Sequence, residues 1–164
     1  MILQSENTMP LIKYIYQKDY AALKRAVSDG VDLNIADMDG RTAIIHAVLD
    51  ENADSKMVQF LIQNGANPNI KDKEQNWTAL HFAASGQKLE VVTKLLDLGA
   101  IVDTEDIFGN TPLWRCVLNS KINLDVVKLL LEKGANPNKL NKKGVSPRIL
   151  AESIGKTEMI EALS

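Results

Sequence analysis

Two markers recur along this chain at nearly the same interval, and this repetition limits the possible fold more than any other feature. A threonine or serine that can cap a helix recurs at spacings of 36, 33 and 35 residues, as Thr42, Thr78, Thr111 and Ser146. A glycine recurs at spacings of 35, 34 and 35 residues, as Gly30, Gly65, Gly99 and Gly134. Two markers that keep step in this way indicate a structural repeat.

One copy of the repeat, residues 77–103, has the pattern of two short helices joined by a turn. Apolar residues at helical spacing mark both helices, as Leu80, Ala83 and Ala84 and then as Val91, Val92, Leu95 and Leu96. Gly99 follows the second helix, where helices commonly end with a positive φ. Neither helix is long enough to be stable alone in water, so each copy must pack against its neighbours.

Several segments resemble the ankyrin repeat, over nearly the whole chain from about Leu11. TALHFAA at 78–84 and TPLWRCV at 111–117 are similar to its helix start, and VVTKLLDLGA at 91–100 and VVKLLLEKGA at 126–135 to its second helix. The resemblance implies an all-α ankyrin-repeat solenoid of stacked helix–turn–helix units in one domain, 1–164. We predict an N-terminal cap at 10–34 whose first helix begins at Pro10, full repeats at about 37–69, 70–103 and 104–138, and a C-terminal cap at 139–164.

Composition and charge limit the function classes. The net charge of −2 argues against nucleic acid as the main partner, because phosphate binding requires a strongly basic face. No apolar stretch approaches the ~20 residues that span a bilayer, the N-terminus does not have the pattern of a signal peptide, and Cys116 is the single cysteine. We therefore expect a cytoplasmic protein that is monomeric when free and that binds neither nucleic acid nor membrane.

Residues with catalytic or metal-binding chemistry do not occur at the spacings that such sites require. His46 and His81 lie in different repeats, and no paired ligand spacing accompanies them. The resemblance implies that His81 hydrogen-bonds to backbone across repeats, whereas the pattern gives His46 no role. Cys116 takes the place of Ala83 in the next repeat and is expected to be a buried thiol. We predict a chain that is not an enzyme and that has no catalytic residues, no metal and no cofactor.

The resemblance also implies a partner-binding surface, made of turn residues and exposed places near the end of each first helix. Carried over place by place, with Asp50 added from an acidic turn, these residues are Met38, Asp39, Arg41, Asp50, Glu74, Gln75, Trp77, Ser85, Ile107, Phe108, Asn110, Leu118 and Asn119, followed by Lys142, Lys143 and Val145. Trp77, Ile107 and Phe108 stand out, because a turn that faces solvent does not need large apolar side chains. The alternative is that Trp77 or Phe108 folds back onto a neighbouring turn. Trp114 is expected to pack between repeats.

Two further expectations concern the turns. The first repeat carries an acidic cluster, Asp37, Asp39, Asp50, Glu51 and Asp54, in its two turns. If these turns share one side with Glu74, the cluster would attract a basic partner, and otherwise it is a solvated loop. The turns at 49–55 and 118–123 are longer than the turn at 85–88, and we expect them to protrude from the same side and to be more mobile.

These observations predict a non-catalytic module that binds one dedicated protein partner. Small ankyrin proteins of this kind include bacterial immunity proteins, which occlude the active site of a cognate toxin, and this role is the first hypothesis. The alternative is a general scaffold or regulatory adaptor for an intracellular enzyme or transcription factor. An enzyme with an unfamiliar site around His46 or His81 is a third, disfavoured reading.

Overall fold

The computed structural model describes the backbone of residues 3–119 and 123–164, and the side chains of residues 10–119 and 123–164. Over these residues the chain forms ten α-helices and no β-strand. In chain order the helices are α1 (Leu3–Tyr16), α2 (Tyr20–Ser28), α3 (Ala43–Leu49), α4 (Ser55–Gln63), α5 (Ala79–Ser85), α6 (Leu89–Asp97), α7 (Pro112–Leu118), α8 (Leu124–Glu132), α9 (Pro147–Ser153) and α10 (Thr157–Ala162). The predicted all-α class is therefore confirmed.

The helices form five successive pairs that stack in one direction. Each odd-numbered helix contacts the helix that follows it and also the next odd-numbered helix, so that α1, α3, α5, α7 and α9 form one row. A second row is formed by α4, α6, α8 and α10. Between the rows lies one continuous apolar core, to which each unit contributes fully buried side chains such as Ile45, Leu80, Leu113 and Met159. This arrangement confirms the predicted solenoid of helix–turn–helix units.

The units end at residues with a positive φ, at the places where the sequence predicts such ends. Gly99 follows α6 with a φ of +97°, and no atom lies within 4 Å of the position that a Cβ would occupy. Glycine is favoured there because of the backbone conformation and not because space is short. Asn76 stands in the turn place that Gly40 and Gly109 occupy in other repeats, with a φ of +55°, a region that Asn tolerates better than most residues other than glycine.

The capping residues differ from one repeat to the next. Thr111 and Ser146 accept the N–H groups of Trp114 and Ile149 at 3.3 and 3.2 Å, as predicted for N-caps. Thr78 caps α5 through a capping box, in which its side chain accepts the backbone N–H of His81 and Nδ1 of His81 accepts the backbone N–H of Thr78. The Thr78 hydroxyl also lies 3.0 Å from this ring nitrogen. The buried hydroxyl of Thr42 has no hydrogen-bond partner among the described residues.

The first helix begins earlier than predicted. Pro10 was expected at the helix start, because proline has no N–H to donate there. Instead α1 begins at Leu3 and Pro10 lies inside it. Leu3, Gln4 and Glu6 are good helix formers, and they extend the helix on the N-terminal side of the proline.

The longer inter-helix turns are held by lysines of the next units. Nζ of Lys88 donates to the carbonyl oxygens of Val48 and Asp50, at 2.7 and 2.6 Å. Nζ of Lys156 donates to the carbonyl oxygens of Val117 and Asn119. Residues 120–122 lie outside the described residues, so the greater mobility of the turns at 49–55 and 118–123 stays a prediction.

His81 joins two repeats, as the resemblance implies. Its Nδ1 accepts the backbone N–H of Thr78 at 3.2 Å, and its Nε2 donates to the carbonyl oxygen of Asn110, also at 3.2 Å. The side chain is fully buried, and burial lowers the pKa of the imidazole from 6.5 to about 4. The neutral ring is therefore the form that the fold requires.

This lowered pKa makes folding sensitive to mild acid. The unfolded chain binds a proton at His81 below pH 6.5 and the folded chain only near pH 4, so stability is lost as the pH falls between these values. We expect His81 to account for a loss of about 2 kcal/mol in the free energy of unfolding between pH 7.5 and pH 5. Urea denaturation at both pH values should find this loss reduced in His81→Gln, which retains His46. An equal loss in the two proteins would contradict the assignment.

Candidate protein-binding surface

Each turn between units is built around one carboxylate or amide side chain. Oδ1 of Asp106 accepts the backbone N–H groups of Phe108 and Asn110, at 2.8 and 2.9 Å. The same double acceptor recurs in the other turns, at Asp37, Asp72 and Asn141. The tip of each turn is thus fixed by hydrogen bonds between this one side chain and the backbone of the turn, and the other side chains on the tip are not needed to hold it.

The tips are joined to one another in a row. Backbone N–H groups of Lys73, Ile107 and Lys142 each donate to a carbonyl oxygen of the preceding tip, at 2.9, 2.9 and 3.0 Å. The approach is close, because a Cβ added at Gly109 would lie 3.0 Å from the nitrogen of Lys142. A side chain at this place would crowd the next tip, and the φ of +79° also favours glycine there.

The predicted site residues fall into three groups by exposure. The exposed ones are Met38, Asp39, Glu74, Ile107, Phe108, Leu118, Lys142 and Lys143. The partly buried ones are Arg41, Asp50, Gln75, Trp77, Ser85, Asn119 and Val145. Asn110 is buried. Ile107 and Phe108, which are adjacent on the third tip, are 42% and 51% exposed, so the predicted exposure is confirmed for this pair.

The expectation that Asn110 is a surface residue is wrong. Only 4% of its surface is exposed. Its Nδ2 donates to Oδ2 of Asp106 at 3.2 Å, and its Oδ1 accepts from Nδ2 of Asn141 at 2.7 Å. Because these bonds connect two turns, Asn110 is a structural residue, and the bond to Asn141 reaches 31 residues along the chain.

The exposed position predicted for Trp77 is also wrong, and the folded-back alternative describes it. The indole is partly buried and stacks on His81, with ring centroids 6.0 Å apart and planes at 22°. Its edge contacts Phe82 at a centroid distance of 4.9 Å, and the guanidinium carbon of Arg115 lies 4.8 Å from the ring centroid. Trp77 therefore joins the second and third repeats and does not form an exposed patch with Phe108.

Arg115 is the centre of a cluster that the sequence did not indicate. Its Nε and Nη2 donate to Oδ2 of Asp106, whose side chain is fully enclosed. The guanidinium also lies 5.4 and 6.0 Å from the ring centroids of Trp114 and Phe108. Burial alone would raise the pKa of Asp106, but hydrogen bonds from Arg115, Asn110 and the Phe108 N–H lower it below its usual value.

His46 has the corresponding role in the first repeat. Its Nε2 lies 2.8 Å from Oδ2 of Asp37, and its Nδ1 lies 3.2 Å from the hydroxyl of Tyr16 in α1. A signal for this role is present in the sequence, because His46 follows Asp37 by nine residues and Arg115 follows Asp106 by the same number. In both repeats a side chain from the first helix binds the carboxylate of the turn. Burial opposes ionisation of Asp37, but hydrogen bonds from Arg41 and His46 lower its pKa.

A groove of about 420 Å³ lies beside the third tip, between the third repeat and the last unit. Its lining is mainly apolar and consists of Phe108, Asn110, Trp114, Arg115, Asn141, Lys143, Val145, Leu150 and Ser153. Trp114 is partly buried and packs on the core, as expected, and Val145 and Leu150 come from the last unit. The groove therefore adjoins the exposed side chain of Phe108.

Comparison with known proteins agrees with this architecture. A family model described as ankyrin repeats, in three copies, matches residues 49–141. The chain belongs to the ankyrin repeat family. Ankyrin repeats are in general non-catalytic modules for protein–protein interaction.

Similar ankyrin-containing segments occur in longer proteins. The chain is 30% identical over 127 residues to a protein of Rickettsia bellii named as an ankyrin repeat protein, covering 74% of this chain and 35% of that protein. It is 33% identical over 144 residues to an intracellular phospholipase A2 of Caenorhabditis elegans, covering 87% and 11%. It is 35% identical over 121 residues to the human transient receptor potential cation channel subfamily A member 1, covering 73% and 10%. The chain thus spans about a third or less of the length of these relatives.

The acidic cluster of the first ankyrin repeat is divided between two places. Asp37 and Asp39 precede α3, whereas Asp50, Glu51 and Asp54 follow it, so a helix about 10 Å long separates the two turns. Asp54 caps α4 and accepts the Tyr20 hydroxyl at 3.0 Å. The two acidic turns therefore do not form one cluster with Glu74, which contacts Arg41 at 3.4 Å.

Other residues with reactive or metal-binding chemistry are accounted for by the ankyrin fold. Cys116 is fully buried, and burial raises the pKa of its thiol to about 11, as expected for a structural cysteine. Among residues 3–119 and 123–164, no cluster of His, Cys, Asp and Glu could hold a metal ion. In the same residues, no helix has both the length and the apolar character needed to cross a membrane.

The buried ion pair should contribute far more to stability than an exposed one. Arg115→Met leaves the enclosed carboxylate of Asp106 without its cation, and we expect the free energy of unfolding to fall by about 3 kcal/mol. Adding Asp106→Asn should recover part of the loss, because the uncompensated charge is then removed. Lys133→Met is the matched control, since both partners of the Lys133–Asp97 pair are at least 40% exposed, and it should change stability little. Equal losses in urea denaturation would contradict this assignment.

Proposed function

We propose that this chain is a non-catalytic module that binds one dedicated protein partner through the row of turn tips and the adjoining groove. The observation that carries the proposal is the exposed pair Ile107 and Phe108 on the third tip. The backbone of this tip is bonded on both sides, through the N–H of Ile107 and the carbonyl of Phe108. The two side chains have no part in those bonds, so their exposed apolar surface supports a role in recognition.

Preorganisation of the tips supports specific binding to one partner. Because each tip is fixed by its own Asp or Asn and by the adjacent tip, little conformational entropy is lost when a partner docks. An aromatic side chain on a fixed support is also typical of interface residues that contribute much of the affinity. Asp39 and Glu74 are exposed on the first two tips, and we propose a basic surface on the part of the partner that faces them.

Two biological roles follow from binding a single partner. In the first, the chain is a cytoplasmic immunity protein that covers the active site of a toxin, and a preformed surface suits such a blocking role. The second is an adaptor for an intracellular enzyme or transcription factor. It is favoured by the observation that similar segments occupy about a third or less of several longer relatives. In both roles we propose a free monomer without catalytic residues.

Affinity capture tests the proposal. The tagged chain is incubated with lysate of its source organism, and the recovered partner is titrated against variants. We expect Ile107→Ala with Phe108→Ala to weaken binding by about tenfold or more, because buried interface anchors contribute at least this much. Ile101→Ala is the control, since Ile101 is a more exposed isoleucine, at 59%, away from the tips.

The identity and behaviour of the partner separate the two roles. A captured protein that is toxic when expressed alone and harmless with this chain indicates immunity, and an enzyme or transcription factor that stays active indicates an adaptor. Equal binding by the Ile107/Phe108 variant and the Ile101 variant would contradict the proposed surface.

A further inference from the structure

We propose that the groove beside the third tip binds a segment of the protein partner in which a carboxylate stands beside an apolar side chain. This inference rests on the proposed function and adds the chemistry of the bound segment. Phe108, Trp114, Val145 and Leu150 supply the apolar walls. The volume of about 420 Å³ is near the lower end for ligand pockets, which suits a few side chains of an extended segment.

Asp106, which is bonded to the lining residues Asn110 and Arg115, has no remaining capacity to accept hydrogen bonds. Asp106 accepts five hydrogen bonds, two at Oδ1 from the backbone N–H groups of Phe108 and Asn110, and three at Oδ2 from Asn110 and Arg115. A carboxylate with two oxygens has about four lone-pair sites, so five donors saturate it. A cationic segment would therefore gain no acceptor from Asp106.

Two cationic groups of the groove, in contrast, keep donors for an incoming acceptor. Arg115 uses Nε and Nη2 for Asp106, while its Nη1 has no hydrogen bond in the described structure and is not one of the buried unpaired atoms. Lys143 is exposed, and over the described residues its ammonium group takes part in no ion pair or hydrogen bond. Its neighbour Lys142 instead donates Nζ to the carbonyl oxygen of Ile107.

Charge complementarity therefore selects an acidic segment over a basic one. A carboxylate placed between Lys143 and Nη1 of Arg115 would form charge-assisted hydrogen bonds beside an apolar surface. An apolar side chain next to it would be buried among Phe108, Trp114 and Leu150. The groove thus differs in sign from the first two tips, where Asp39 and Glu74 are exposed.

Selection of peptides on the full chain tests the inference without knowledge of the partner. A phage-displayed random heptapeptide library is selected on the wild-type chain, with counter-selection on Lys143→Glu. We expect the enriched peptides to carry Asp or Glu within two residues of an aliphatic or aromatic residue. Lys143→Glu should lower their affinity by about fivefold or more. Lys128→Glu is the matched control, because Lys128 is an exposed lysine on α8, in the other row of helices.

A double-mutant cycle and a local probe assign the contact. Replacing the peptide carboxylate by its amide should weaken binding to the wild type but have little further effect on Lys143→Glu. The chain has two tryptophans and therefore two indole N–H resonances, one from Trp114 in the groove and one from Trp77 for comparison. The peptide should shift the resonance of Trp114, identified with Trp114→Phe, more than that of Trp77.

The opposite results would overturn the inference. The selection could enrich basic or uncharged peptides, or it could enrich no peptide at all. Acidic peptides could also be enriched but bind the Lys143→Glu variant as tightly as the Lys128→Glu variant. A fluorescent single-stranded oligonucleotide that binds the wild type and is lost in Lys143→Glu would assign the groove to nucleic acid and would overturn it as well. The proposed function is measured separately, by capture with the Ile107 and Phe108 variants, so a failure of this inference can be told apart from a failure of the proposed function.

Discussion

Contact between neighbouring units is the interaction on which every part of this structure depends. The first helices α3, α5, α7 and α9 have seven residues each, which is too few for stability in isolation. Their stability comes from the apolar core between the rows and from hydrogen bonds that cross from one unit to the next. Stability in such an array is approximately a sum of unit terms and nearest-neighbour terms, so the interfaces decide how cooperatively the chain folds.

The hydrogen bonds between units differ in chemistry along the stack. Asn69 both donates to the carbonyl of Gly99 and accepts the N–H of Ile101, at 3.0 and 2.8 Å. Asn34 makes the same two bonds one repeat earlier. Asp103 takes this place in the next repeat and can only accept, from the N–H of Asn136 at 3.0 Å. The junction that follows Asp103 therefore has one donor fewer at this place, and Lys139 donates instead to the carbonyl of Asp103.

Periodicity in the sequence was enough to predict the helix pairs and their stacking, because these follow from patterns within one repeat. The role of His81 was implied by the resemblance to the ankyrin repeat. Periodicity was not enough for Trp77 and Asn110, whose surroundings include residues more than 30 positions away. The guanidinium of Arg115 covers the face of Trp77, and Asn141 binds Asn110. His46 was missed for a related reason, since its partners belong to a turn and to α1. Whether a side chain at the edge of a repeat is exposed depends on the neighbouring repeat as well. The pattern of a single repeat therefore cannot predict it.

The crowded backbone of the tips has a consequence for how such a chain can diversify. At Gly40 and Gly109 a Cβ would crowd the backbone of the next tip, at 2.7 and 3.0 Å from a nitrogen, so these positions tolerate few other residues. Met38 lies two residues before Gly40, and Phe108 lies directly before Gly109. Both side chains project outward, and the crowding of the backbone does not limit which side chain stands there. New specificities can therefore arise by exchanging a few outward side chains, while the scaffold beneath them keeps its geometry.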